Sequence, residues 1–464
     1  MVELIIIAVY FLAVIAIGIT THRKLWRLDD FLAAGRKYSS LFIAGTLMAT
    51  AIGGSATIGL SGLGFSQGLT GSWWLLAGCV GLVVLGLLFA KKVRNYGLYT
   101  LPGLIEKQYG QRVAFAASIF IVVAWIAVTA GQILAAGKIL GALGIGSPIL
   151  WMVIFTLIFV GYTLAGGQYA IIRTDILDII IIFIGIFLGL GIVLWQVGGI
   201  GGLMNSLPPD RMSFPVSPRF DGMDLLSFLL LVGLVYVAGP DIYARLFCAK
   251  DSRTAKVSTL WAAVILIPFA FCITLIGMGA FVLFPQISPE QAFPSVITGV
   301  LPPFVAGIVL AALISAVMSS ASATLWSSGT ILSVNVLGSL PGLADKKYSL
   351  KLSRWMILFV GLASLGLALL LQGVITALLF AYTIYTCGVI LPVIAGFYKD
   401  RLKVTSNAAL AAIIGGGLTG VASKVWAVKY LDLGALLISL LLLLMVSLIE
   451  NRIKAARALP GATV

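Results

Sequence analysis

Long apolar stretches separated by short polar segments recur along the whole chain, at 2–20, 41–68, 72–90, 113–140, 148–165, 170–197, 224–247, 257–284, 303–335, 352–372, 375–397, 406–425 and 432–450. A helix of about 20 residues crosses a hydrocarbon core of roughly 30 Å, and helices are the economical way to satisfy backbone polar groups there. The pattern therefore predicts an all-α integral membrane protein of about thirteen transmembrane helices. The longest polar interruption, 199–223, holds Pro208, Pro209, Pro215 and Pro218. No linker divides the chain, so residues 1–464 are read as a single transmembrane domain.

Composition removes the main rival class. With 61% hydrophobic and 10% charged residues, a soluble globular domain is excluded. The net charge of +14 reads as topology rather than nucleic-acid binding, because the basic residues are scattered over short loops. Assigned to alternate loops, twenty-five of the thirty Lys and Arg residues fall on one side, including Arg23, Lys24, Arg27, Arg173, Arg245, Lys346 and Lys347. The positive-inside rule then places the N-terminus outside and the C-terminus in the cytoplasm. The opening segment carries Glu3 and no basic n-region, so it reads as a retained helix rather than a cleaved signal.

Chemistry-bearing residues are sparse. Cys79, Cys248, Cys272 and Cys387 show no CxxC spacing and His22 is the only histidine, which supports neither a disulfide framework nor a zinc site. No Gly-rich run is followed by GKS or GKT, so an ion gradient is the expected energy source. Residues 311–328, AALISAVMSSASATLWSS, place adjacent hydroxyls at Ser319 and Ser320 inside an apolar span. Such a pair offers hard oxygen ligands to a small cation.

Two segments carry breaks. Segment 41–68 contains Gly53-Gly54 among seven glycines, and segment 224–247 contains Gly233 and Gly239-Pro240. Small residues also permit close helix packing, but two consecutive glycines at the centre of a span favour unwinding and free backbone groups to bind ligands. Five segments separate the breaks. The expected organisation is one inverted repeat over 41–198 and a second over 224–397, with 2–20 and 406–450 as peripheral helices, one at the N-terminus and two at the C-terminus.

The motifs resemble those of the sodium:solute symporter family, which includes sodium-coupled proline, pantothenate, sialic acid and sugar transporters. The resemblance rests on FLAAGRKYSS (31–40), AIGGSATIGLSGLGFSQG (51–68), YTLPGLIEKQYGQR (99–112), GGQYAIIRTDILD (166–178), GPDIYARLFCAKD (239–251) and the Ser-rich segment, in that order. It implies a LeuT-like fold of two inverted five-helix repeats. It also implies a sodium site made of the Ala49, Ile52 and Ala316 carbonyls with the Ser319 and Ser320 hydroxyls. Five neutral oxygens suit a monovalent cation, whereas a divalent ion would recruit carboxylates.

Asp175 matches an acid that in some family members serves a second sodium site, with Ser322 as a companion, but Ala323 stands where those members carry another hydroxyl. Its alternative role is an ion pair on the exit path, with Arg173 or a loop base. Asp178 stands where the family more often has Gln. By the same resemblance, solute lies beside the unwound backbone, against Gly53, Ser55, Ala56, Trp73, Trp74, Gln132, Tyr236, Tyr382, Tyr385 and Thr386. Segment 41–68 itself offers no Glu, Gln or Asn near its break to serve a sugar, so a small carboxylate is expected: an amino acid, a pantothenate-like acid or a short organic acid.

The function read from the sequence is sodium-coupled symport by alternating access, with sodium, a small solute and the lipid bilayer as partners and no obligatory protein partner. Rivals are proton coupling through Asp175 or Asp178, and a membrane solute sensor. An enzyme is not expected, since no HExxH or Ser/Lys motif is present. Short loops and a compact tail point to a prokaryotic inner membrane.

Overall fold

The computed structural model describes residues 1–22, 28–342, 349–371, 373–426 and 428–457; Arg23, Lys24, Arg27, Lys346 and Lys347 of the charge count lie outside them. Among the described residues, eleven helical runs are long and apolar enough to cross a membrane, and strand pairing is confined to two isolated bridges. The sequence reading divides two of these runs, Ser55–Asn95 and Pro148–Gln196, which accounts for its count of thirteen. Forty-nine residues of straight helix would measure about 74 Å, far more than one crossing. The longer run bends at Gly167 (φ 53°, ψ −148°), a conformation open to glycine.

The helices that matter below are α1 (Val2–His22), α2 (Ser40–Ala51), α3 (Leu60–Gln67), α4 (Trp73–Val84), α5 (Gln111–Gly141), α6 (Pro148–Gln196), α7 (Leu234–Ala238), α8 (Pro240–Cys248), α9 (Ser252–Leu283), α10 (Pro303–Ile331), α11 (Leu350–Ala368), α12 (Val374–Tyr385), α13 (Ser406–Trp426) and α14 (Leu431–Arg457). The innermost is α10: 83% of its most apolar window is buried, against 28% for α1, α11 and α14. It packs on α5, α6 and α1. The peripheral helices instead present bare apolar side chains, such as Leu437, Leu441, Leu444 and Leu448 on α14, as contact with lipid tails requires.

Both breaks foreseen in the sequence are real. Helix α2 ends at Ile52 (φ −89°, ψ 72°), and after Gly53-Gly54 the chain re-enters a helix through a π turn at Ser55–Gly59 before α3. Helices α7 and α8 are separated by extended Gly239 (ψ 131°), and Pro240, which lacks an N–H, opens α8. Small residues let the strained region pack: a side-chain carbon on Gly277 of α9 would run into the Ser61 backbone of α3. Outside the spans, Asp251 caps α9 by accepting the Thr254 N–H at 2.7 Å, and that bond holds its carboxyl below the usual range.

One assignment from the charge count is corrected. Arg245, counted among loop bases, is fully buried in α8 and pairs with Asp175 at 3.4 Å. The helix continues to Cys248 and carries the guanidinium into the protein.

Candidate functional site

An interrupted helix leaves carbonyls without their usual partners four residues on, and in an apolar interior those oxygens need donors or cations. Helix α10 supplies donors. Ser319 Oγ donates to Ala49 O at 2.8 Å and is 3.0 Å from Ala316 O, while Ser320 Oγ donates to Thr50 O at 2.7 Å. Both serines are buried. Three of the five residues implied as sodium ligands, Ala49, Ala316 and Ser319, thus meet between α2 and α10, with Ser320 engaged at the next carbonyl of α2. The Ile52 carbonyl follows one turn on at the end of α2, its own N–H bonded to Met48 O at 2.9 Å. Ser320 reaches Thr50 O rather than Ile52, a carbonyl the sequence reading did not name.

The approach is close because glycine allows it. A β-carbon at Gly53 would lie 2.5 Å from Ser320 Oγ and 2.9 Å from Gln132 Oε1. Gln132 of α5 completes the break by accepting the Gly54 N–H at 2.7 Å. A glutamine buried for this purpose fixes the unwound turn, since an unbonded buried amide is costly.

Beside this point lies a narrow, partly open cavity of about 30 Å³. Of the ten predicted solute contacts, Gly53, Ser55, Gln132, Tyr236 and Tyr382 line it, together with Ser320. Thr50, Trp125, Asp241 and Thr324 also line it and were missed. Thr324 was legible one helical turn after Ser320, and Asp241 as a carboxylate in the first turn after a break within an apolar span.

The other five predicted contacts serve elsewhere. Trp73 is drawn to the 199–223 segment, where its indole N–H donates to Pro215 O at 2.9 Å and its ring stacks on Phe214 at 5.4 Å. Trp74 stands behind the cavity, stacked on Tyr382 at 6.2 Å. Ala56 is buried off the lining. Tyr385 donates its hydroxyl to Ala238 O, the last carbonyl of α7, and Thr386 bonds Leu231 O at 3.2 Å in the π turn Phe228–Gly233. Both satisfy carbonyls that irregular helix geometry leaves free.

Asp175 is buried on α6. One of its oxygens accepts from Thr46 Oγ1 of α2 and from Arg245 at 3.4 Å; the other has no partner. Its Arg partner is therefore Arg245, while Arg173 bonds Tyr169 OH at 2.8 Å. Ser322 donates to Ser319 O at 3.1 Å and makes no bond to Asp175. Asp178, three residues on, accepts from Tyr10 of α1 at 2.8 Å.

Comparison with known proteins agrees with this architecture. The profile of the Sodium:solute symporter family matches residues 31–416. The sodium/pantothenate symporter of Escherichia coli (strain K12) is 28% identical over 482 residues, covering 98% of this chain and 97% of that protein. The high-affinity proline transporter of Bacillus subtilis (strain 168) is 26% identical over 373 residues, covering 76% and 77%. The fold is shared with a sodium-coupled sialic acid symporter in a substrate-bound outward-open state, with a TM-score of 0.81 at 16% identity over 97% of this chain and 98% of the other. The eleven helical runs belong to a LeuT-like architecture, and the chain is a multi-pass membrane transporter rather than an enzyme. With five sixths of its length matched, the chain belongs to the sodium:solute symporter family.

Proposed function

We propose that this protein imports a small organic solute driven by sodium, by alternating access about the two helix breaks. The observation that carries the reading is the pair of α10 hydroxyls, Ser319 and Ser320, bonded across to the carbonyls of Ala49 and Thr50 where α2 unwinds. Sodium would take Ala49, Ile52, Ala316, Ser319 and Ser320 as ligands once the hydroxyl hydrogens rotate outward. An ion there ties α2 to α10 and steadies the open cavity beside it, so solute and sodium strengthen each other's binding equally.

In this reading 41–198 and 224–397 are the inverted repeats, and 2–20 and 406–450 the peripheral helices. The protein sits in the cell (inner) membrane with the N-terminus outside and the C-terminus cytoplasmic, needing no obligatory protein partner. The solute is a carboxylate of the amino acid, pantothenate-like or short organic acid kind, which agrees with relatives named for pantothenate and proline. Proton coupling through Asp175 is the weaker reading, since Arg245 and Thr46 already engage that carboxylate.

The test is thermal stabilisation of the purified protein in sodium against choline, across amino acids, organic acids, pantothenate and sugars. A solute that stabilises only in sodium supports coupling. Stabilisation equal in both media contradicts it.

A further inference from the structure

The cavity carries one carboxylate, and the proposed solute class has not used it. Asp241 occupies the first turn of α8, directly after the Gly239-Pro240 break, with 9% of its surface exposed. The nearest cation is Arg245, one turn along. Its guanidinium is directed elsewhere, to Asp175 Oδ2 at 3.4 Å and to the main-chain oxygen of Asp241 at 3.5 Å. Among the described residues no Lys or Arg pairs with the Asp241 carboxylate.

Its surroundings are aromatic. Trp125, Tyr236 and Tyr382 line the same cavity, and no basic side chain does. The buried Trp125 indole N–H lies beside the Asp241 carboxyl, which the N–H groups of Asp241 and Ile242 also face. A carboxylate among ring faces, in a cavity that no basic side chain lines, has the composition of a site for a positively charged nitrogen. Ring quadrupoles and the carboxylate both attract an ammonium group. A solute that is only an anion meets the opposite: like charge and no basic partner.

We propose that Asp241 is a specificity-determining residue that binds an ammonium group on the transported solute. This rests on the sodium-symport reading and narrows it: amino acids and other amine-bearing solutes fit, and acids without an amine do not.

The experiment uses full-length protein in detergent and compares matched probes in sodium: L-alanine with lactate and N-acetylalanine, L-proline with tetrahydrofuran-2-carboxylate, and the pantothenate anion. Thermal stabilisation confined to the amine-bearing members is the supporting result. It should weaken by roughly tenfold or more in apparent affinity in Asp241→Asn, the scale for losing a charge-assisted bond, and recover in part in Asp241→Glu. A sodium titration without solute, run on each variant, reports whether fold and ion site survive. Stabilisation by the amine-free acids, by no amine-bearing member, or equally in wild type and a folded Asp241→Asn overturns the assignment and leaves sodium coupling standing. Loss of the sodium effect in wild type overturns the symport reading itself.

Discussion

The two helix breaks meet the same physical problem with opposite chemistry. At Ile52–Gly54 the freed groups are served by neutral partners, the Ser319 and Ser320 hydroxyls and the Gln132 amide. At Gly239-Pro240 they are served by the Tyr385 hydroxyl, while acidic and basic side chains stand in the next turn: Asp241, and Arg245 paired to Asp175. A neutral oxygen cluster suits a cation that binds and leaves, since its ligands stay content when it is gone by bonding one another. A buried ion pair is harder to undo. The first break has the character of a binding site and the second that of a fixed frame with Asp241 at the cavity edge.

That contrast is broken most severely at Arg245. Arg245→Met leaves Asp175 buried beside Thr46 alone, and a cost of about 3–5 kcal/mol in unfolding stability is expected, the usual effect of orphaning a buried charge. Unfolding in detergent measures it, and Asp175→Asn with Arg245→Met should be milder than Arg245→Met by itself. A loss under about 1 kcal/mol would place the pair in water and remove the frame argument.

Tyr385→Phe is next. It removes the donor to the Ala238 carbonyl, so a loss of about 1–3 kcal/mol is expected with sodium affinity unchanged. A shift in sodium affinity comparable to that of an α10 serine variant would merge the two breaks into one unit. The smallest effect is expected at Trp73, which bonds the 199–223 segment and not the cavity. Trp73→Phe keeps the ring stack on Phe214 and loses one partly exposed bond, about 1 kcal/mol or less, with solute-dependent stabilisation intact.

Much of this was readable in advance, for identifiable reasons. A bilayer imposes length and apolarity on every span, so the run at 113–140 and the helix at Gln111–Gly141 agree closely. Gly53-Gly54 and Gly239-Pro240 mark breaks because they remove side chains or an N–H at depth. What stayed hidden depends on rotation and on distant chain. The turn of α2 decides that Ser320 meets Thr50 and not Ile52, and Pro215, 142 residues away, decides where Trp73 points. Arg245 read as a loop base because it stands in the last turn of the span 224–247, yet α8 carries it into the protein and ends only at Cys248. Asp241 stood inside a motif already noticed and was passed over as part of it.

The most direct measurement is a sodium titration of thermal stability, in choline-balanced medium, on wild type, Ser319→Ala and Ser320→Ala. Each variant removes one hydroxyl from the cluster at Ala49 and Thr50, and the apparent sodium affinity should fall roughly tenfold or more in both, the scale for losing a ligand to a charged group. Titrations that superimpose on wild type in both variants would contradict the assignment of the ion to the first break.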